Sequence, residues 1–402
     1  MSLPAKAAPI AIDAADLAEE LARHAPDLQL DLVGAAALPA DLPHGARFTR
    51  WLEDDRHGGL DYLARDPDAR LDPTRANPWA RTLLVFGQRY TDGWPEGDAD
   101  PSATGRPEPD APWTARVARY ARRCDYHDVL LGAMKTLLGR LAGRWPGLVA
   151  YPATDTGPYL EREWAWLAGL GFLGRNTCLI HEALGSGLFL GAAPTNLVVA
   201  GLPAPGVPAT EPLYHVRGRV RHAPAEAVTS RCGSCTACLD ACPTGALDLA
   251  RGLDAARCLS TWTIEWRGRA PDDRRGDQGG VLFGCDICQA VCPWNRRAAA
   301  RAAGDDAPPP VPDAYADDPA RGELSLADLI ALDADGFRAR FRRTPLWRAH
   351  PEGLRRNALV VAANTGRGDL VEGIAAAAAS DDADTAAVAR WALARLGRDE
   401  AP

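Results

Sequence analysis

Cysteines in two runs carry the clearest chemistry in this sequence. The first run, CGSCTACLDACPTGAL, sets Cys232, Cys235, Cys238 and Cys242 at C-x2-C-x2-C-x3-C followed by proline. The second, CDICQAVCPWN, supplies Cys285, Cys288 and Cys292 at C-x2-C-x3-C-P, with Cys258 between the two. Thiolates spaced this way can wrap a cubane, and in two-cluster ferredoxin modules the last cysteine of each run crosses to the other cluster. By that rule Cys232, Cys235, Cys238 and Cys292 hold one 4Fe-4S cluster, and Cys242, Cys258, Cys285 and Cys288 hold a second. Structural zinc is the alternative, because four cysteines also suit Zn, although zinc sites usually come as two C-x2-C knuckles. Proline after Cys242 and Cys292 turns the chain away once the ligand is delivered. Cys124 and Cys178 fall outside this set and are expected to be small buried hydrophobes.

Two clusters side by side form an electron conduit, and a conduit needs a terminus. That terminus is either another protein, making the chain an electron carrier, or a catalytic cofactor in the long stretch before the clusters. Within that stretch Asp155, in YPATDTGPYLEREW, precedes a predicted helix. It reads as an N-cap, with Pro158 in the first turn and Glu161 supporting it, or as a catalytic acid. Gly169, Gly171, Gly174, Gly185, Gly187 and Gly191 crowd the next residues, as expected where backbone approaches a flat ligand. No G-x-G-x-x-G with a following ribose acid is present, so a dinucleotide site is disfavoured.

These groups must be positioned by several elements. An amphipathic helix opens the chain, and TLLVFGQRY reads as an apolar strand. Helical spacing runs from 114 to 143, PGLVAYPATD reads as a short strand, PYLEREWAWLAGL as a helix, and NTCLI and LFLGAAPTNLVVA as strands. The stretches 94–113 and 201–231 read as surface loops, and AAARAAGDDAPPPVPDAYADDPARG as a linker. LADLIALDADGFRARF, EGLRRNALVVAANTG, DLVEGIAAAAAS and ADTAAVARWALARLG read as short antiparallel helix pairs of the HEAT type, too few to stand alone.

At 402 residues, two to three domains are expected, and 47% hydrophobic with 24% charged residues is a globular composition. The N-terminal segment lacks an apolar core followed by a cleavage site, and no apolar run reaches the ~20 residues that span a bilayer. A cytoplasmic, membrane-free protein is therefore expected, in which cysteines bind metal rather than pair. The net charge of -8 argues against a protein that coats nucleic acid. Local arginine groups at 114–123, 214–222 and 337–356 leave room for phosphate contacts.

RYARRCDYHDVL, DTGPYLEREWAWLAGLGFLGRNTCLI, the two cysteine runs with IEWRGRAPDDRRG between them, and RRNALVVAANTG together resemble the epoxyqueuosine reductases. These are cobalamin-dependent iron–sulfur enzymes of queuosine tRNA synthesis, and the resemblance spans roughly residues 45 to 396. It implies an α/β (α+β) cobalamin-binding domain over 1–230, a bacterial-ferredoxin-like two-cluster module over 231–297, and a C-terminal α-helical HEAT-like domain over 320–398. It also implies reduction of the wobble-position epoxide to an alkene, with electrons passing through both clusters to cobalt. Asp155 matches the family's proton donor, and a carboxyl against an apolar corrin face would have its pKa raised by desolvation. By the same matching Arg70, Asp155, Leu179, Leu190, Ser260, Cys285 and Asp286 contact cobalamin. The expected partners are tRNA carrying epoxyqueuosine and an external reductant protein, and the chain is expected to be a monomer.

The chain departs from the family where G-R-D-Y-H becomes R-C-D-Y-H, placing Cys124 beside Asp125, and where 201–231 is longer than usual. Reductive dehalogenases share the cobalamin and two-cluster plan, but they carry an export signal that is missing here. A non-enzymatic two-cluster electron-transfer protein is the rival from another class.

Overall fold

The computed structural model describes residues 7–94, 116–122, 124–217, 230–268, 271, 273–305, 307–315 and 324–397. The predicted loop 94–113 lies outside them except for Trp94, as do parts of the arginine groups at 114–123 and 214–222.

The apolar stretch TLLVFGQR becomes the strand Thr82–Arg89, buried at every residue because both of its faces are covered. Alternate residues point to opposite sides. Leu84 and Phe86 enter a core with Leu130, Met134 and Leu137 of the helix Tyr126–Arg144. Leu83 and Val85 enter a second core with Trp164 and Leu167 of the helix Glu161–Leu167. The sheet around it is antiparallel, in the order Leu188–Thr195, Thr82–Arg89, Leu32–Ala37, Tyr214–His215. Beside it Ile10–Asp13 pairs in parallel with Leu197–Ala200. The first helix, Ala14–His24, is capped by Asp13, which accepts from the Ala15 N–H at 2.8 Å.

Helical periodicity from 114 overstates the next element. Arg116–Val117 is a strand paired in parallel with Val281–Phe283, and a 3-10 turn follows at Arg119–Ala121. The helix begins only at Tyr126, where Asp125 accepts from the His127 N–H at 3.0 Å. Two predicted loops also differ. Segment 201–231, expected to be solvated, is described to residue 217 and adds Tyr214 and His215 to the sheet as a buried edge strand. The predicted linker begins as the end of the helix Pro293–Ala302. Further along, Tyr315 is fully buried and donates to Gln88 Oε1 at 2.9 Å, and Arg89 donates to the carbonyl of Pro309. This stretch is held against the central strand by a ring and a guanidinium.

After residue 323 come the helices Leu326–Ile330, Ala334–Phe341, His350–Asn364, Val371–Ala378 and Ala383–Arg395. Their core is continuous with Leu282 and Phe283, so they are packed on the cysteine region. Arg356, 5% exposed, donates to the carbonyls of Trp266 at 3.0 Å, Gly268 at 2.8 Å and Trp262 at 2.7 Å. Asn357 reaches Thr263 O and Leu282 O. The arginines of 337–356 are thus largely engaged within the protein. Arg338, Arg340, Arg343 and Arg348 pair with Asp335, Asp328, Asp128 and Glu265. No helix of the described residues is long and apolar enough to cross a membrane.

Candidate functional site

Asp155 sits at the tip of a loop anchored on the sheet. Ala153 exchanges backbone hydrogen bonds with Ala192 at 2.9 Å each, and the Thr154 hydroxyl donates to Leu190 O at 2.7 Å. The chain then reverses, with Asp155 in the left-handed region at φ 57°. Non-glycine residues adopt that conformation only when their surroundings impose it. Here the Asp155 N–H donates to Glu161 Oε1 at 2.7 Å. Glu161, not Pro158, opens the following helix, and the Asp155 side chain does not cap it. Gly157 is required beside this turn, because a Cβ there would lie 2.6 Å from the Tyr159 ring.

The freed Asp155 carboxylate is 65% exposed and is gripped from the start of the helix Tyr126–Arg144. Tyr126 donates to Asp155 Oδ2 at 2.9 Å, and His127 Nε2 stands 3.9 Å from the same oxygen. Behind it, His127 Nδ1 lies 2.7 Å from Asp125 Oδ1. The Tyr126 ring is stacked between Phe189, at 4.4 Å, and His127, at 4.2 Å. Burial and then the Asp155 charge push the Tyr126 phenol far above its ordinary pKa, so it keeps its proton and acts as a donor. Burial pulls the His127 imidazole down, but the hydrogen bond and charge of Asp125, with Asp155 and Asp128 behind, more than offset it and hold the ring above its usual range. Burial, followed by the charge of Asp155, pushes Glu161 up to about 8.

Arg70 belongs to the same neighbourhood. It donates to Tyr62 O at 2.6 Å, and its Nε is buried without a hydrogen-bond partner among the described residues. Burial lowers its pKa, while Tyr62, Glu161, Asp66 and Asp155 work in the opposite direction. Leu179 and Leu190 join one apolar cluster, the first buried and the second partly so. On the cysteine side Ser260 bonds the Cys258 sulfur, and Asp286 accepts from the Arg119 N–H at 2.7 Å. Tyr120 lies between the two sides: burial and then the charges of Asp155, Asp286 and Glu265 raise its pKa. Arg348, from the C-terminal helical region, closes the rim by pairing with Glu265 at 3.0 Å and lying over the Tyr62 ring.

Four of the cysteines share one pocket. Cys232, Cys235, Cys238 and Cys292 line one pocket of about 180 Å³. Burial and then the facing sulfurs of Cys292, Cys232 and Cys235 push the Cys238 thiol up to about 12. Burial, with the charges of Cys258, Asp286 and Cys242 adding to it, pushes the Cys285 thiol up to about 12, and burial with the charges of Cys178, Cys285, Cys258 and Cys238 raises that of Cys288. Four thiols that share one pocket are the kind of donor set an iron–sulfur cluster takes. Of the remaining two, Cys124 is exposed rather than buried, and Cys178 is half-buried with its sulfur facing Cys288.

At the six glycines from 169 to 191 protein atoms fill the space that a Cβ would take. A Cβ at Gly171 would lie 2.4 Å from Ile180 O, one at Gly185 2.4 Å from Asn295 Oδ1, and one at Gly191 2.5 Å from Met134 Sδ. They are small because sheet, helix and cysteine region approach one another there. Sequence reasoning did not assign Tyr126, His127, Tyr62, Glu265 or Arg348 to the site. Only the D-Y-H triplet carried a signal for the first two, and the others meet Asp155's surroundings across long separations in sequence.

Residues 231–295 match the model of the 4Fe-4S double cluster binding domain, which sets zinc aside. Residues 70–156, from Arg70 to just past Asp155, match the model described as epoxyqueuosine reductase QueG, DUF1730. An epoxyqueuosine reductase of Xanthomonas campestris pv. campestris is 33% identical over 365 residues, covering 88% of each chain. A solved epoxyqueuosine reductase carrying an epoxyqueuosine-modified tRNA-Tyr stem loop is 25% identical with a TM-score of 0.76, over 96% of this chain and 91% of that one. The Bacillus subtilis enzyme, solved with a catalytic aspartate loop swung out of its active site, is 25% identical with a TM-score of 0.74 over the same shares. With one residue in three shared along most of both chains, this oxidoreductase belongs to the epoxyqueuosine reductase family.

Proposed function

We propose that the chain reduces the epoxide of epoxyqueuosine at the tRNA wobble position to the alkene of queuosine, with Asp155 as the proton donor. The conversion takes up two electrons and two protons and releases the oxygen as water. The observation that carries the reading is the Asp155 carboxyl itself: it is exposed, sits on a left-handed turn, and is held on one oxygen by Tyr126 with His127 and Asp125 behind. A carboxyl so oriented can hand a proton to a departing alkoxide and regain one through the imidazole. Glu161 keeps the turn in place, and Tyr126 sets the direction of the second oxygen.

Cobalamin, when bound, supplies a low-potential cobalt centre for the epoxide carbon. Arg70, Leu179, Leu190, Ser260, Cys285 and Asp286 would hold it. The partnerless Arg70 Nε suits an amide oxygen of the kind that fringes a corrin, and the half-buried Leu190 offers apolar surface. Two 4Fe-4S clusters, when bound, supply one-electron conduction, with Cys232, Cys235, Cys238 and Cys292 as one ligand set and Cys242, Cys258, Cys285 and Cys288 as the other. The division into a cobalamin-binding part to residue 230, a cluster module to 297 and a HEAT-like helical part from 320 follows the same reading. The tRNA-bound relative supports modified tRNA as the substrate.

Nucleoside analysis of tRNA from a strain lacking the gene tests the assignment directly. Epoxyqueuosine should accumulate and queuosine disappear, with restoration by the intact gene. Unchanged queuosine would remove the proposed function.

A further inference from the structure

The pocket lined by Cys232, Cys235, Cys238 and Cys292 has a charge that its surroundings do not predict. Arg175, Arg231 and Arg297 share its lining, and no carboxylate among the described residues does. Arg175 bridges the rim, donating to Cys235 O at 2.7 Å and Gly233 O at 2.8 Å. Arg297 is exposed and lies 5.1 Å over the Trp294 ring, which also lines the pocket. One helical turn on, exposed Arg301 donates to Glu182 O at 3.0 Å, and the Glu182 carboxylate is paired with Arg231. Asp240, in the same cysteine run, is bonded by Thr236. A chain with net charge -8 therefore presents a local guanidinium face around its outward cysteine set.

This set stands apart from Asp155, whereas the second run approaches it: Asp286, next to Cys285, accepts from the Arg119 N–H at 2.7 Å, and the neighbouring Tyr120 ring lies 6.4 Å from that of Tyr126, while none of these residues lines the pocket. We infer that the Arg175, Arg231, Arg297 and Arg301 face is where an acidic one-electron carrier protein docks to load the outer cluster. The inference rests on the two-cluster reading of the cysteines. A cluster accepts one electron at a time, which favours a one-electron protein carrier over a hydride donor. Each encounter oxidises the carrier by one electron and reduces the outer cluster by one, so two encounters serve one epoxide. Transient contacts of this kind are small and steered by charge.

The test uses the full chain with both clusters reconstituted and a purified acidic plant-type 2Fe-2S ferredoxin, chemically reduced, as probe. Stopped-flow bleaching of the cluster absorbance gives the second-order rate, and titration calorimetry gives the affinity of the complex. The wild-type rate should fall steeply between about 20 mM and about 500 mM salt. Arg297→Glu and Arg301→Glu should each lower the low-salt rate and affinity by about tenfold and flatten the salt slope, while Arg297→Lys retains them. Dithionite reduction and the midpoint potential should stay as in the wild type, with unchanged iron content. An unchanged rate and slope in both glutamate variants would overturn the proposal. So would a rate loss matched by a shifted potential, or loss of tRNA affinity in place of ferredoxin affinity, which would make the face an RNA surface. A strain that accumulates no epoxyqueuosine would remove the catalytic assignment while leaving these docking kinetics standing. Protein that reconstitutes without iron would remove both.

Discussion

Tyr126 donates to Asp155 Oδ2 at 2.9 Å from a helix that starts one residue after its own cap, so the phenol and the carboxylate are set by the same helix start. Because Tyr126 stays protonated, the bond orients one carboxylate oxygen and leaves the other free. Asp155→Asn should keep the cluster absorbance yet lose roughly 10²- to 10⁴-fold in turnover on epoxyqueuosine tRNA, the range of a lost general acid. Tyr126→Phe should lose about tenfold in kcat with KM little changed, consistent with one hydrogen bond to a charged group. Full activity in Asp155→Asn would leave the aspartate only a turn residue.

Glu161 offers a separation of geometry from charge. Its Oε1 accepts the Asp155 N–H, and a glutamine oxygen can do the same. Glu161→Gln should therefore stay within a few fold of wild-type activity, whereas Glu161→Ala releases the left-handed turn and should fall on the order of 10²-fold. The carboxyl's pKa is raised from 4.5 to about 8 in the fold, first by burial. The unfolded chain loses this proton near 4.5 and the folded one near 8, so the contribution to stability is present below 4.5 and is lost as pH rises through about 8. The melting temperature of Glu161→Gln relative to wild type should accordingly rise across that window. A difference that is flat with pH would show that Glu161 is not held neutral.

Asp125 and His127 give a second variant whose difference from wild type changes with pH, in a higher window. The imidazole is raised above its ordinary value of 6.5, so its contribution is fully present below about 6.5 and is lost as pH rises through the higher folded value. Burial pushes the Asp125 carboxyl up, but the His127 hydrogen bonds more than reverse this and leave it lowered. Asp125→Asn should depress the melting temperature most near pH 6 and least near pH 9. Thermal melts over a pH series decide the point, and an equal deficit at both ends would mean that only the helix cap was lost.

Much of this was legible in the sequence, for reasons that can be named. TLLVFGQRY reads as a strand because a strand covered on both faces is apolar throughout, and the double-cluster region is legible because its two cysteine runs keep a fixed spacing. The glycine run misled because close packing of backbone against Ile180, Asn295 and Met134 selects glycine as strongly as a flat ligand does. The start of the helix at Tyr126 was hidden because Arg116 and Val117 find strand partners more than 160 residues away at Val281 and Phe283. The proline-rich linker concealed Tyr315, whose burial depends on a strand far upstream.

Arg356 shows the same long-range dependence and gives a stability prediction. It was grouped with surface arginines, yet its guanidinium donates to three carbonyls between Trp262 and Gly268 and so ties the helix His350–Asn364 to the cysteine region. Arg356→Ala leaves those carbonyls unmet and should destabilise by about 3 kcal/mol or more. Urea titration followed by tryptophan fluorescence would measure the loss, and a change under about 0.5 kcal/mol, the size of an ordinary surface substitution, would contradict the clamp.

The crossed cysteine sets are tested by counting iron. Anaerobically reconstituted protein should hold about eight irons, four for each cubane. The crossing rule puts Cys258 in the inner set with Cys242, Cys285 and Cys288, so Cys258→Ala should impair the inner site and leave the outer one intact. The expected product retains about half the iron, still reducible by dithionite, but no longer supports turnover. Cys235→Ala should remove the other half. Loss of all iron from either variant would show that the two sites form as one cooperative unit, and zinc in place of iron would show that the sets hold something else.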